Sequence, residues 1–204
     1  METIDLETPH GPARAFVTPH PKPRGLLVIS HGAGGGVDAP DLLAAAEVAH
    51  GIGYVVARVE QPYRVAGRRA PAPQKQLDAN WLAIVEQLRE HVPDGTPLVV
   101  GGRSMGARVA CRTSAGVGAA GVLCLAFPLQ PRPRKGKDVP DRLHELDAVR
   151  APTLVVQGRT DAFGMPPAKR GRRKVVTVAG DHSLKADLPA VAAAVEAWLT
   201  AFLG

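Results

Sequence analysis

The chain has 204 residues, enough for one domain to bury a continuous core without disulfide or metal staples. Its apolar content of 45% and charged content of 22% exclude a wholly disordered chain, and no run approaches the ~18 apolar residues of a membrane span. The net charge is +6, much of it in residues 132–137 and 169–174, which are expected to be solvated surface; aromatic residues are too sparse to interleave with these runs, so nucleic acid is not an expected partner.

From the N-terminus, Glu2, Asp5 and Glu7 precede no apolar h-region, so residues 1–16 do not read as a signal peptide, and the expected location is the cytoplasm. Residues 3–7 and 13–18 are expected to pair as an edge hairpin through a turn at 9–12. Six short apolar runs follow, at 26–29, 54–57, 98–100, 122–125, 154–156 and 175–178. They are continuous rather than alternating and largely β-branched, the pattern of strands covered on both faces. Between several of them lie helical patterns. One starts at Asp38-Ala39-Pro40, with Leu42, Leu43, Ala46 and Ala49 on one face, and is stopped by Gly51 and Gly53. A second carries Leu77, Trp81, Ile84, Val85 and Leu88; a third, at the C-terminus, carries Leu188, Val191, Val195, Trp198, Leu199 and Phe202. Alternating strands and helices predict an α/β fold, a mostly parallel doubly wound sheet with helices on both faces, as one domain over 1–204. The proline-rich, charged stretch 127–146 reads as a long loop, too short for a cap domain and at most a lid remnant. Cys111 and Cys124 sit in apolar stretches and are expected to be buried, reduced thiols, and no Cys/His cluster suggests a metal.

Directly after the first buried run stands His31-Gly32-Ala33-Gly34-Gly35-Gly36. A phosphate-binding loop would need Lys-Ser/Thr after the glycines, where Val37-Asp38 stands, and the spacing does not match a dinucleotide fingerprint. Such a loop can instead bring backbone amides within reach of a substrate carbonyl. The amide of Ala33, or that of Gly34, is expected to share this role with the amide of Met105, and His31 is expected to fix the loop.

Gly102-Arg103-Ser104-Met105-Gly106 matches G-x-S-x-G. An apolar strand precedes it and a good helix start follows, which is the strand–turn–helix setting the motif requires. A serine on that sharp turn stands at a helix N-terminus, where developing negative charge is favoured. In the chain order serine, acid, histidine, His182 follows the last apolar run and precedes the final helix. His144 follows no strand. Asp161 follows the run 154–156 and is the expected acid, preferred to Asp181, a poorly placed neighbour of the histidine, and to Asp138, Asp141 and Asp147, which precede that run. His182 would take the proton from Ser104, and Asp161 would orient the imidazole.

With these motifs in order, the chain resembles the α/β-hydrolase superfamily and looks close to dienelactone-hydrolase-like proteins. A fuller pattern includes Asp38-Ala39-Pro40-Asp41, Gln61-Pro62-Tyr63-Arg64, Gly67-Arg68-Arg69-Ala70-Pro71 and Gly101-Gly102-Arg103-Ser104-Met105-Gly106. It is similar to the sub-family of the testis-expressed hydrolase-like protein and the hydrolase-like domain of a chromatin acetyltransferase-complex subunit. The resemblance implies the fold and the positions Ser104, Asp161 and His182, but no substrate. The expected activity is hydrolysis of an ester or similarly activated small acyl compound without a cofactor; acyl transfer or perhydrolysis would use the same residues. Arg103, Arg159 and Tyr63 are candidates for substrate contact. Together with Arg103 and Arg159, Arg58, placed at a strand end, and Arg64, Arg68 and Arg69 after it could favour an anionic substrate; structural salt bridges with Glu60, Asp78 or other acids are the alternative reading. The alternative is a non-catalytic module that binds an acidic partner through the basic runs. Monomer and homodimer stay open.

Overall fold

The computed structural model describes residues 1–131 and 141–202. One eight-stranded sheet runs through them in the order β1-β2-β4-β3-β5-β6-β7-β8. β1 (Glu2–Leu6) and β2 (Ala13–Thr18) form the expected antiparallel edge hairpin. β2 also pairs antiparallel with β4 (Tyr54–Glu60). The remaining pairs are parallel: β3 (Gly25–Ser30) with β4 and with β5 (Leu98–Arg103), then β6 (Gly121–Leu125), β7 (Thr153–Gly158) and β8 (Arg173–Val178) in succession.

The apolar runs are continuous because each strand feeds two cores. Side chains alternate across a strand. Leu26 and Val28 therefore join the core beneath α3 (Gln74–Arg89) and α4 (Met105–Thr113). Leu27 and Ile29 join the core beneath α1 (Pro40–Gly51) and α6 (Leu188–Thr200). β8 departs from the expectation: it is the outer strand, and Lys174 and Thr177 on it are exposed. β5 runs on past Val100 through Gly101 and Gly102, residues with no strand preference of their own, because both neighbouring strands pair with them.

The helices correct several details. On α1 the buried residues are Asp41, Leu42, Ala45 and Ala49, while Leu43 is 40% exposed. Successive residues turn about 100° around a helix, so Leu43 cannot share the face of Leu42 and Ala49. Two short helices were not expected, α2 (Pro62–Val65) and α5 (Leu143–Asp147). His144 lies exposed on α5 rather than in a loop. Arg58 does not end its strand but lies within β4, buried and paired with Asp38 at 2.6 Å. The basic run 132–137, and part of the stretch 127–146, lie outside the described residues. In the run 169–174, Lys169 and Arg173 both pair with Asp147 and Arg173 is buried, so that run is not simply solvated surface. No described helix is long and apolar enough to cross a membrane.

The strand order dictates where a site can form. From β3 the chain moves to β4 on one side, then crosses back to place β5 on the other. At such a switch point the connections leave in opposite directions and open a crevice at the carboxyl ends of the two strands. Those ends carry the loop at 31–36 and Ser104.

Trp81 on α3 is fully buried, and its indole N–H has no acceptor among the described residues. Trp81→Ala is expected to lower stability by about 3–5 kcal/mol. Trp81→Phe keeps a ring in the core and removes an unpaired donor, so its loss should be distinctly smaller. Urea unfolding midpoints compare the two, and equal losses would contradict this account of the site.

Candidate active site

Ser104 sits between β5 and α4 with φ 53° and ψ −106°, a backbone conformation that costs about 1–3 kcal/mol for a residue with a side chain. The turn is held from outside: the Ser104 amide donates to Leu125 of β6 at 2.9 Å, and the Ser104 carbonyl accepts the Arg108 amide of α4 at 3.2 Å. The flanking glycines are there for space. A Cβ at Gly102 or at Gly106 would collide with the Ser30 carbonyl at the end of β3. Glycine at both positions lets the elbow press directly onto β3.

Ser104 Oγ lies 2.9 Å from His182 Nε2, and His182 Nδ1 lies 2.8 Å from Asp161 Oδ2. Opposite a carboxylate oxygen, Nδ1 carries the proton, which leaves Nε2 free to accept from the serine hydroxyl. The Asp161 side chain is 1% exposed and is further fixed by two donors. Gln157 Nε2 donates to Oδ2 at 2.7 Å and the Phe163 amide to Oδ1 at 2.8 Å. The Phe163 ring packs on the imidazole with centroids 4.5 Å apart. Asp181 is exposed and bonds Ser183 instead.

The loop after β3 is held by its carbonyls. His31 is buried, and burial lowers its pKa, favouring the neutral ring. Its Nε2 accepts the Gln61 amide at 3.1 Å, so the proton is on Nδ1, which donates to the Gly32 carbonyl at 2.8 Å. The Tyr63 hydroxyl, pushed up to a pKa of about 12 by burial, donates to the Ala33 carbonyl at 2.9 Å. A trans peptide points its N–H opposite its C=O. Pinning these two carbonyls therefore turns the amides of Ala33 and Gly34 away from His31 and Tyr63. Among the described residues neither amide, nor that of Met105, has a backbone acceptor.

Arg103 ties the elbow to two other elements. Its Nε lies 3.0 Å from Oδ2 of Asp41, which is fully buried at the start of α1, and its Nη2 donates to the His182 carbonyl at 2.9 Å. Burial raises the Asp41 pKa, and the Arg103 charge pulls against that rise.

A cleft of about 600 Å³ opens over these groups, and Ala33, Gly34, Ser104, Met105, His182 and Arg103 line it. Of the expected substrate contacts, Tyr63 lies behind the loop and Arg159 is exposed, and neither lines the cleft. Cys111 on α4 and Cys124 on β6 are buried free thiols with sulfurs 3.5 Å apart. The hydrogen bond with Cys111 and burial raise the Cys124 pKa, so it stays protonated. No described group of His, Cys, Asp and Glu is arranged to hold a metal.

Sequence reasoning missed Gln157 and Asp41, which fix the site, and Arg142, which lines the cleft. Gln157 carries a signal in retrospect, as a fully buried amide at the end of an apolar strand. Asp41 looks like an ordinary first-turn acid, and Arg142 like one of many arginines on a charged stretch.

The sequence matches the family model described as "Alpha/beta hydrolase domain" over residues 23–192. No curated protein matches it. Among solved structures it is similar to Est1E from Butyrivibrio proteoclasticus, with TM-score 0.82, 18% identity, and coverage of 100% of this chain and 99% of the other. It is similar to XC6422 from Xanthomonas campestris, described as a serine hydrolase without lid, with TM-score 0.74, 20% identity, and coverage of 98% and 94%. A third similar structure is an alpha-beta serine hydrolase homologue from Coxiella burnetii, with TM-score 0.77, 15% identity, and coverage of 97% of each chain.

Arg103→Met would strand the Asp41 carboxylate in the interior, and the expected loss is about 3–5 kcal/mol at neutral pH. Without the arginine, the Asp41 pKa should rise further above its ordinary value. The native state would then hold a proton that the unfolded chain has released, so variant stability falls as pH rises through that interval and recovers on acidification. Urea unfolding at neutral and mildly acidic pH should show the gap to wild type narrowing in acid. A gap that widens would refute the role given to Asp41.

Proposed function

The chain belongs to the alpha/beta hydrolase family, and on that premise we propose that it is a serine hydrolase acting on esters or similarly activated acyl compounds. The observation that carries this reading is the contact series from Ser104 Oγ to His182 at 2.9 Å and on to Asp161 at 2.8 Å. Those are the distances at which a general base takes a hydroxyl proton.

Ser104 Oγ attacks the substrate carbonyl carbon while His182 Nε2 takes its proton. Asp161 stays ionised and stabilises the imidazolium. The Met105 amide and that of Ala33, with Gly34 second, receive the oxyanion. Collapse breaks the bond to the leaving group, which takes the proton from His182 and leaves an acyl-serine. Water, deprotonated by the same histidine, then releases the acid and restores Ser104. Transfer of the acyl group to another alcohol, or to peroxide, differs only in this last nucleophile. The narrower likeness to dienelactone-hydrolase-like proteins, and to the testis-expressed and chromatin-complex group, rests on the loop at 31–36 with residues 38–41, on residues 61–64 and 67–71, and on residues 101–106. The substrate is a small acyl compound that enters the cleft over Ser104.

A fluorophosphonate probe should label the wild-type protein, leave Ser104→Ala unlabelled and label His182→Ala weakly. With a para-nitrophenyl ester, Ser104→Ala should lose turnover on the order of 10⁶-fold. Folded wild-type protein that takes no label would overturn this reading in favour of an interaction module.

A further inference from the structure

Among the described residues, the charged side chains that line the cleft are all of one sign. Besides the histidine they are Arg103, Arg108 and Arg142, and no carboxylate is among them. Two of the three arginines are already matched. Arg103 faces buried Asp41 and bonds the His182 carbonyl. Arg108 on α4 makes a two-pronged contact with Glu145 of α5, at 2.9 and 2.6 Å. Glu145 is buried and is shared with Arg112 at 3.2 Å, so it has little left to offer a third cation.

Arg142 is the unmatched one. It has no ion pair among the described residues. Neighbouring Asp141 is exposed, and its carboxylate accepts the Leu143 amide. Arg142 is nevertheless firmly placed: its amide donates to the Leu129 carbonyl at 2.8 Å and its Nη1 to the Pro128 carbonyl at 2.9 Å. Burial, and then the charge of Arg108, lower its pKa, and the charge of Glu145 offsets part of that. The bond to Pro128 uses one of the five guanidinium N–H donors. The same cleft is also lined by the apolar residues Pro71, Met105, Pro128, Pro131 and Phe163.

We infer that Arg142 is a specificity residue for substrates bearing a carboxylate at the end of an apolar chain remote from the scissile bond, such as half-esters of dicarboxylic acids. The inference rests on the hydrolase reading above. A planar guanidinium offers paired donors that match a carboxylate, and a partly desolvated cation gains more from an anion than an exposed one. The apolar residues of the cleft take the chain between the two ends. Arg103 is the weaker candidate, because its charge is already balanced by buried Asp41.

The test compares para-nitrophenyl glutarate half-ester with the neutral valerate ester of equal chain length, on wild type, Arg142→Met and Arg142→Lys. The readout is the ratio of kcat/KM for the anionic ester to that for the neutral one. In wild type the ratio should exceed one and fall with added salt. Arg142→Met should reduce it by about ten- to a hundredfold, and Arg142→Lys should retain part of it, since charge survives while the paired donors are lost. A wild-type ratio at or below one overturns the inference, as does a ratio that neither variant changes. Should Arg142→Met fail to fold, the wild-type ratio and Arg142→Lys still decide. Fluorophosphonate labelling of wild type separates the two layers. Labelling without anionic preference sinks the inference alone, and absence of labelling sinks the hydrolase reading beneath it.

Discussion

Backbone meets backbone where β5 turns into α4. The Ser30 carbonyl at the end of β3 occupies the space that a side chain at Gly102 or Gly106 would fill. This contact brings two loops that are far apart in sequence into one crevice. It also sets the height of Ser104 above the sheet edge and its distance from the loop that begins at His31. The strained serine conformation persists because the surrounding strands leave the turn no other path. Each later feature of the crevice, from the aim of His182 to the position of Ala33, is measured from that point.

Charge is distributed beneath the crevice so that ionic groups tie separate elements together. Asp41 is buried with Arg103 beside it, and the same arginine bonds the backbone of the histidine. Glu145 joins Arg108 and Arg112, and Arg112 also reaches Asp78 at 2.6 Å. Buried ion pairs of this kind add little net stability compared with apolar packing. Their effect is geometric: they bind α1, α3, α4 and α5 to the elements that carry the reacting groups.

The sequence made the strands easy to find, because a strand buried on both faces needs an unbroken apolar run and β-branched residues provide it. Ser104 was legible because its flanking glycines answer a steric demand that few turns make. His182 followed from chain order, whereas Asp161 was a choice among several nearby acids. What remained hidden depended on contacts between distant segments. Arg103 reads as a substrate contact in sequence; it lines the cleft and also holds Asp41 and the His182 carbonyl. Tyr63 reads the same way, yet it anchors the Ala33 carbonyl from behind. Leu43 was misplaced because a one-residue shift around a helix exchanges core for solvent. The polar character of Gln157 gave no hint of its partner, since Asp161 comes within reach only when the chain turns back after β7.

The anchored carbonyls of Gly32 and Ala33 bear on when order is imposed. A glycine-rich loop has more conformational freedom to lose than any other segment of equal length. Here His31 and Tyr63 remove that freedom as the protein folds, before any ligand arrives. The entropy of arranging the amides is therefore charged once, to the folding of the chain, and is not deducted again from each encounter. A loop set in this way is already ordered at Gly32 and Ala33 when any encounter begins.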